Sequence, residues 1–147
     1  MNLAPVSASD WTKGDKNAAV TLVEYADFQC PACGTYYPIV KQVVEKYGNR
    51  ILYVYREFPL AQIHKNGDLA ARAAEAAGLQ GKYWEMLDQL YTNQNSWAEA
   101  SDAESQMEAY AKTIGMDTAR WRSDLNGAAV KDKIAADVDG GNTALVD

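Results

Sequence analysis

The sequence predicts an α/β fold in which one strand–helix–strand unit precedes a mostly helical second half. Three observations support this prediction. Residues 20–25 and 51–58 alternate and are rich in β-branched side chains, which is typical of strands. Apolar residues at helical spacing separate these two segments, and every apolar pattern after Pro59 also recurs at helical spacing. Because a helix joins the strands, we expect a right-handed crossover and parallel pairing.

Length and charge limit the classes of function. The 147 residues fit one domain, which we take as residues 1–147. The net charge is −6 and no basic stripe is present, so we expect no nucleic-acid partner. No apolar run is long enough to span a bilayer, and residues 1–10 lack the features of a signal peptide.

The first half divides into four segments. Residues 1–18 are polar and are expected to be irregular, and the first strand follows them. A helix is expected to begin at the cysteine pair, where Pro31 suits the first turn, and to end at Gly48. Pro38 lies inside this helix and is expected to kink it. The second strand runs from Ile51 to Phe58.

The second half predicts a series of helices. The alanine-rich helix carries its small residues at helical spacing and ends at Gly78, and the next carries Trp84, Leu87 and Tyr91 on one face. A capping box at Ser101-Asp102-Ala103-Glu104 is expected to begin a helix that ends at Gly115, and Asp117 is expected to cap the next helix. A last helix is expected over about residues 128–138, followed by a break at Gly140-Gly141-Asn142.

Cys30 and Cys33 are the two cysteines of the chain, and two residues separate them at the strand–helix junction. A helix N-terminus favours negative charge, so Cys30 is the predicted nucleophile and Cys33, one turn further on, the more shielded thiol. Closing so short a loop removes little chain entropy, so a disulfide here suits a reversible switch better than a staple. Pro31 removes an N–H donor and Ala32 adds no charge, and both are expected to tune the redox balance.

Other interpretations of the cysteines stay open at this point. A structural disulfide or two unreactive thiols are alternatives. A zinc site needs about four ligands, and the chain offers two cysteines and one histidine, so we expect no metal. That histidine, His64, precedes the alanine-rich helix and is predicted to act structurally as a cap. The clustered aromatic residues of the second half are predicted to form core.

The run Val23–Cys33, with the sequence VEYADFQCPAC, resembles the active-site segment of DsbA-type disulfide oxidoreductases. The likeness continues through Arg56–Leu60 (REFPL) and Gln80–Trp84 (QGKYW) and covers almost the whole chain. It implies a thioredoxin-like fold with an inserted helical domain, over about residues 62–139 here. It also implies periplasmic or other extracytoplasmic work, in which the enzyme oxidises thiols of exported proteins and a membrane partner linked to quinone reoxidises it.

The resemblance assigns roles to individual residues. Cys30 resembles the exposed nucleophile and Cys33 the resolving cysteine, so the redox-active disulfide would be the working group, with no separate cofactor. Glu24 resembles a buried acid beneath the disulfide that handles protons, and we expect Arg56 on the neighbouring strand to be its partner. Near the reactive turn, Tyr36 and Tyr37 are candidates for contact with substrate.

The sequence departs from this family in one respect. Thioredoxin-fold enzymes place a cis-proline loop opposite the cysteines, and no proline of this chain follows Pro59. We therefore expect the C-terminal strands to be missing and the sheet to keep an open edge, through which the chain would self-associate. A reductase or isomerase of the same fold, and a truncated interaction module without catalysis, remain the alternatives to an oxidase.

Overall fold

The computed structural model describes residues 2–144. In that part a strand–helix–strand unit and an N-terminal strand precede six further helices, which confirms the predicted α/β order. The elements are β1 (Trp11–Gly14), β2 (Val20–Ala26), α1 (Pro31–Tyr47), β3 (Ile51–Glu57), α2 (Gly67–Gly78), α3 (Tyr83–Thr92), α4 (Gln94–Trp97), α5 (Ala103–Thr113), α6 (Thr118–Asp124) and α7 (Ala128–Ala144). No helix among these residues is both long and apolar enough to cross a bilayer.

The sheet has the strand order β1-β3-β2. Strands β2 and β3 pair in parallel, from Val20 opposite Ile51 to Ala26 opposite Glu57, as the helical crossover predicts. The expectation of irregular structure over residues 1–18 is wrong at Trp11–Gly14, which pairs antiparallel with β3. Four residues are too few to show a strand period, and distant residues of β3 supply the hydrogen bonds that define β1.

The two faces of the sheet have different neighbours. Glu24 and Tyr55 are paired in the register and share the face towards α1 and α3. Tyr25 and Arg56 are paired on the opposite face, towards the N-terminal segment and α7. This division decides which side chains surround the cysteine-bearing helix and which do not.

Strand β2 lies at one edge of the sheet. Within residues 2–144 no strand follows β3, so the edge of β2 is open, and Val20 is 58% exposed there. Helix α1 is also loosely covered, because none of its described side chains over Pro31–Tyr47 is buried. The self-association predicted for this edge stays a prediction.

The helical half contains most of the core. Ala70, Ala73, Ala74 and Ala77 are all buried in α2, which confirms the predicted small-residue stripe. Trp97 and Trp121 are fully buried, and Trp84 packs partly buried against the same core. Helices α2 to α7 run from Gly67 to Ala144, and the boundary of a helical insertion at about 62–139 stays a prediction.

Some helix ends agree with the sequence and others differ from it. Gly115, with a φ of 79°, follows α5, and the Asp117 carboxylate accepts a hydrogen bond from the Arg120 amide at 3.0 Å, as predicted. The capping box at Ser101–Glu104 is wrong. Asp102 precedes the first helical residue, but it makes no side-chain cap and instead accepts a bond from the Gln106 side chain at 3.0 Å.

The predicted break at Gly140-Gly141-Asn142 is also wrong, because α7 continues to Ala144. The glycines are used here for close packing. A Cβ on Gly141 would lie 2.6 Å from the Phe58 ring and 3.1 Å from the ring of Tyr25. Helix α7 therefore approaches the sheet more closely than a helix with larger side chains at this position would allow.

Substituting Gly141 by alanine is expected to destabilise the fold although alanine is the better helix former. Alanine gains about 1 kcal/mol of helix propensity, but the clash with Phe58 forces a shift of α7 that costs more, for a net loss of about 1–2 kcal/mol. Urea unfolding measures this difference. Asn142→Ala, at an exposed position of the same helix, is the control and is expected to stabilise slightly. A Gly141→Ala variant as stable as that control would contradict the packing argument.

Candidate active site

The cysteine pair lies at the start of α1. Cys30 has extended backbone angles, φ −62° and ψ 121°, and immediately precedes Pro31, the first helical residue. Its carbonyl accepts the Gly34 amide at 3.0 Å, which begins the helical hydrogen bonding. Both cysteines are free and partly exposed, and Pro31 and Ala32 between them are exposed. The predicted strand–turn–helix placement of the pair is confirmed.

Asp27 holds the turn that leads to Cys30. Its buried carboxylate accepts the Gln29 amide, the Leu60 amide and the His64 Nδ1, each at 2.7 Å. Its own backbone carbonyl accepts the Cys30 amide at 3.1 Å. One carboxylate therefore ties the reactive turn to the chain after β3.

His64 is structural, but not as predicted. It bonds to Asp27 instead of capping the alanine-rich helix. Asn66 occupies the position before α2, and its side-chain amide donates to the carbonyls of Trp97, Ala98 and Ala100 at 2.9–3.0 Å. The sequence shows a helix start near these residues, but only the fold brings Asp27 beside the histidine.

Gln94 in α4 also supports the cysteine turn. Its Nε2 donates to the Phe28 carbonyl at 2.6 Å and to the Cys30 carbonyl at 2.9 Å. A Cβ on Gly34 would lie 2.5 Å from Gln94 Oε1, so the glutamine packs directly on the first turn of α1. Sequence reasoning missed this residue, because Gln94 is 64 positions from Cys30 and belongs to no recognisable motif.

Cys33 packs partly buried against the core, in agreement with its predicted position one turn into the helix. Burial raises the pKa of Cys33 to about 12, although a hydrogen bond with the Asp27 backbone lowers it, and the hydrogen bond with Cys30 and the negative charge of Glu24 raise it further. The Cys33 sulfur is therefore protonated at neutral pH whenever it is not in a disulfide. Any reaction that releases it as a thiolate must supply it with a proton.

Glu24 lies on the α1 side of the sheet, but its predicted partner is wrong. Its Oε2 accepts a hydrogen bond from the Tyr53 hydroxyl at 2.6 Å. Burial raises the pKa of Glu24, and the bond from Tyr53 lowers it. Arg56 lies on the opposite face, where its Nε donates to Asp10 at 2.8 Å. The arginine pairs in register with Tyr25, so it points away from Glu24.

The two tyrosines near the cysteines have different surroundings. Tyr36 is 60% exposed on α1. Tyr37 is partly buried, stacks on Tyr91 with ring centroids 4.8 Å apart, and donates its hydroxyl to Asp88. Burial, with help from Asp88, raises the pKa of Tyr37 to about 12. Only Tyr36 presents its ring freely to solvent, and contact of either residue with substrate stays a prediction.

No cluster of three or more histidine, cysteine, aspartate or glutamate side chains suited to a metal ion occurs among residues 2–144. The side chains considered as zinc ligands do not converge on one point. His64 bonds to Asp27, while the cysteines lie together at the helix start. The arrangement instead offers two thiols next to one another, which is what reversible disulfide formation requires.

The sequence family described as thioredoxin matches residues 7–146 of this chain. The chain belongs to the thioredoxin family. A thioredoxin-like oxidoreductase from Silicibacter pomeroyi DSS-3 is 27% identical with a TM-score of 0.73, and 93% of this chain covers 75% of that one. Wolbachia pipientis alpha-DsbA1 has a TM-score of 0.81 at 23% identity, covering 96% and 71% of the two chains. The predicted DsbA-type thioredoxin fold is confirmed.

Curated relatives match this chain over part of their length. It is 39% identical over 137 residues to Na(+)/H(+) antiporter NhaA 1 of Salinispora arenicola, covering 93% of this chain and 20% of that protein. It is 41% identical over 116 residues to Na(+)/H(+) antiporter NhaA 1 of Mycolicibacterium gilvum, covering 79% and 18%. The chain thus spans about one fifth of the length of these relatives.

Proposed function

We propose that this chain is a thiol–disulfide oxidoreductase that works through a reversible disulfide between Cys30 and Cys33. The observation that carries the proposal is the pair of partly exposed cysteines at the N-terminus of α1 in a thioredoxin-family fold. A helix N-terminus favours a thiolate, and the turn before it is anchored by Asp27 and Gln94.

The proposed reaction begins with the oxidised enzyme. A substrate thiolate attacks Cys30 Sγ, a mixed disulfide forms, and the Cys30–Cys33 bond breaks. The electron pair of that bond goes to Cys33, which takes up a proton. A second substrate thiolate then attacks the substrate sulfur of the mixed disulfide, and Cys30 leaves as a thiolate. The substrate loses two electrons and the enzyme gains them.

Glu24 is the group we propose to exchange protons with Cys33. Its charge is close enough to raise the pKa of the Cys33 thiol, and burial raises the pKa of Glu24 itself. A partly buried acid with a raised pKa is suited to donate a proton to a released thiolate. We also propose that Pro31 and Ala32 tune the reduction potential of the cysteine pair. Tyr36 and Tyr37 are the proposed candidates for contact with substrate.

Within this class we propose an oxidase of exported proteins that acts outside the cytoplasm. The supporting observations are the VEYADFQCPAC segment and the structural likeness to DsbA-type proteins. We also propose that protein thiols are its substrates, that a quinone-linked membrane protein reoxidises it, and that it needs no other cofactor. A reductase or isomerase with the same site is the second candidate, because the oxidation and the reduction of a substrate use the same two cysteines.

The antiporter relatives do not change this proposal. The aligned region is about one fifth of each of those proteins, and in this chain it falls largely within the residues that the thioredoxin family matches. We therefore attribute the likeness to a thioredoxin-like segment within them, and we propose no ion transport for this chain.

Incubating the oxidised chain with a reduced two-cysteine peptide tests the activity. We expect one equivalent of the chain to oxidise one equivalent of peptide, measured by mass spectrometry. Equilibration with glutathione buffers then gives the reduction potential. A value near that of DsbA, about −120 mV, supports the oxidase, and one near that of thioredoxin, about −270 mV, supports the reductase.

The control for this experiment is the same chain with both thiols alkylated. It retains the surface of the protein and loses the proposed chemistry, so peptide oxidation must fall to the level seen without protein. If the untreated chain also fails to exchange disulfides with the peptide, the oxidoreductase proposal is wrong. An interaction module without catalysis would then be the better interpretation.

A further inference from the structure

A cavity of about 100 Å³ lies between α1, α3 and the sheet, and Glu24 and Tyr53 both line it. Its lining extends from exposed Lys13 and Lys41 to the buried rings of Tyr53 and Tyr55. The cavity therefore connects the solvent at the side of α1 with Glu24, which also lines a second cavity along strand β2.

The cavity opens away from the reactive turn. Neither Cys30 nor Cys33 lines it, whereas Val40 and Val44 of α1 do. Val44 is eleven residues beyond Cys33, or about 16 Å along the helix at 1.5 Å per residue. Tyr37, one turn beyond Cys33, also lines the cavity, so it is the end beside Val44 that is remote from the cysteines.

Tyr53 fixes the position of Glu24 at the buried part of the cavity. The tyrosine is 6% exposed, and its hydroxyl donates to Glu24 Oε2 at 2.6 Å. Glu24 and Tyr53 lie on the same face of neighbouring parallel strands, so the bond spans β2 and β3. Arg56 of β3 is unavailable to Glu24 because it pairs with Asp10 on the other face of the sheet.

We propose that Tyr53 positions Glu24 for proton transfer, holding one carboxylate oxygen at the inner end of a cavity through which Glu24 exchanges protons with solvent. The inference rests on the proposed function. When Cys33 is released from the disulfide, protonated Glu24 gives its proton towards the thiolate. The resulting carboxylate accepts the hydrogen bond of Tyr53, and a proton from solvent restores the acid through the cavity.

Several titratable groups face Glu24 from the elements that surround the cavity. The charged ones are Lys13 of β1, Lys41 and Glu45 of α1, and Asp88 of α3. Lys41 bonds to Asp88 at 3.1 Å, which neutralises much of the charge of that pair. Burial raises the pKa of the lining tyrosines Tyr37, Tyr53, Tyr55 and Tyr91, so these stay neutral over the pH range in which Glu24 titrates.

The first test compares the titration of Glu24 in the wild-type chain and in Tyr53→Phe, followed by ¹³C NMR of the glutamate carboxyl groups. Removing the donor takes away a contribution that lowers the pKa of Glu24, so we expect the midpoint to rise by about one unit. Tyr47→Phe, on the exposed end of α1, is the matched control and is expected to leave the midpoint unchanged. An unchanged midpoint in Tyr53→Phe overturns the positioning role.

The second test follows the single-turnover reaction of the oxidised chain with a reduced peptide as a function of pH. The ratio of the wild-type rate to the rate of Glu24→Gln is expected to fall as the pH rises and Glu24 loses its proton. In the Tyr53→Phe variant we expect this fall about one pH unit higher. Adding Tyr53→Phe to Glu24→Gln is expected to change the rate by less than about twofold, because the tyrosine acts through the acid. A large further loss in the double variant overturns the proposal.

Narrowing the cavity tests the route. Val44→Phe is expected to slow single turnover several-fold while the midpoint of the Glu24 titration is unchanged. The control is Val43→Phe, because Val43 does not line the cavity. Equal rates in the two variants, with equal melting temperatures, overturn the route. If the wild-type chain exchanges no disulfide at all, the proposed function fails, while the NMR titration still decides whether Tyr53 positions Glu24.

Discussion

Replacing Cys30 by serine is expected to lower the rate of disulfide exchange by more than about a hundredfold, to the rate of the peptide and oxidant alone. The attacked sulfur of the proposed mechanism is lost, and Cys33 is a poor substitute because burial keeps its thiol protonated, with a pKa of about 12. The assay is oxidation of a reduced two-cysteine peptide. The circular dichroism spectrum of the variant should match the wild type, since Cys30 is partly exposed.

Cys33→Ser is the matched variant, and its expected outcome differs in kind. Given the oxidised form of the peptide, Cys30 still attacks its disulfide and displaces one peptide sulfur as a thiolate. No second thiol of the enzyme resolves the product, so a mixed disulfide between Cys30 and the peptide accumulates. Mass spectrometry of the unreduced protein detects this adduct. If Cys33→Ser accumulated no adduct while Cys30→Ser did, the two assigned roles would have to be exchanged.

Asp27→Ala is expected to lower the free energy of unfolding by about 3–5 kcal/mol. The substitution removes the acceptor of the Gln29 amide, the Leu60 amide and His64, and leaves these donors without a partner in a buried region. Each unsatisfied buried donor costs about 1–3 kcal/mol. Since small domains are stable by about 5–15 kcal/mol, this one carboxylate has a large effect on the whole fold.

Urea unfolding of two further variants separates the loss of hydrogen bonds from the loss of volume. Asp27→Asn keeps the shape and one acceptor oxygen, so an intermediate loss of stability is expected. Asp68→Ala removes a half-exposed carboxylate that pairs with Arg72 and is expected to cost less than about 1 kcal/mol. If Asp27→Ala cost no more than Asp68→Ala, the hydrogen bonds to Asp27 would not be what anchors the cysteine turn.

Local sequence patterns were sufficient to predict the centre of the fold. Alternation in β2 and β3 and helical spacing in α1 predict the crossover, and they place Cys30 at its start. These patterns act over a few residues, and the hydrogen bonds of a helix or the faces of a strand follow directly from them. The stripe of alanines in α2 was predictable for the same reason.

The surroundings of the cysteines were not predictable in this way. Tyr53, Gln94 and His64 approach the reactive turn from positions far along the chain, and no spacing rule connects them to it. The error at Arg56 has a different origin. Adjacent residues of a strand point to opposite faces, so an error of one residue in the assumed register assigned the arginine to the wrong side of the sheet.

Glycines were the other source of error. A Gly-Gly pair in sequence indicates a helix end, because glycine loses more conformational freedom in a helix than other residues do. In α7 the contact of Gly141 with Phe58 outweighs that preference. Only tertiary structure shows that the missing side chain is needed at this point for α7 to approach β3.

The absence of buried side chains along α1 has a consequence for motion. A helix that buries little apolar surface is separated from its neighbours at a lower free energy than the whole domain is unfolded, so its amide hydrogens exchange with solvent through local opening. Helix α2, with its buried alanines, exchanges only through larger openings. The hydrogen bonds of Gln94 and Asp27 restrain the sulfur-bearing end, so we expect α1 to open from its far end while the cysteines stay in place.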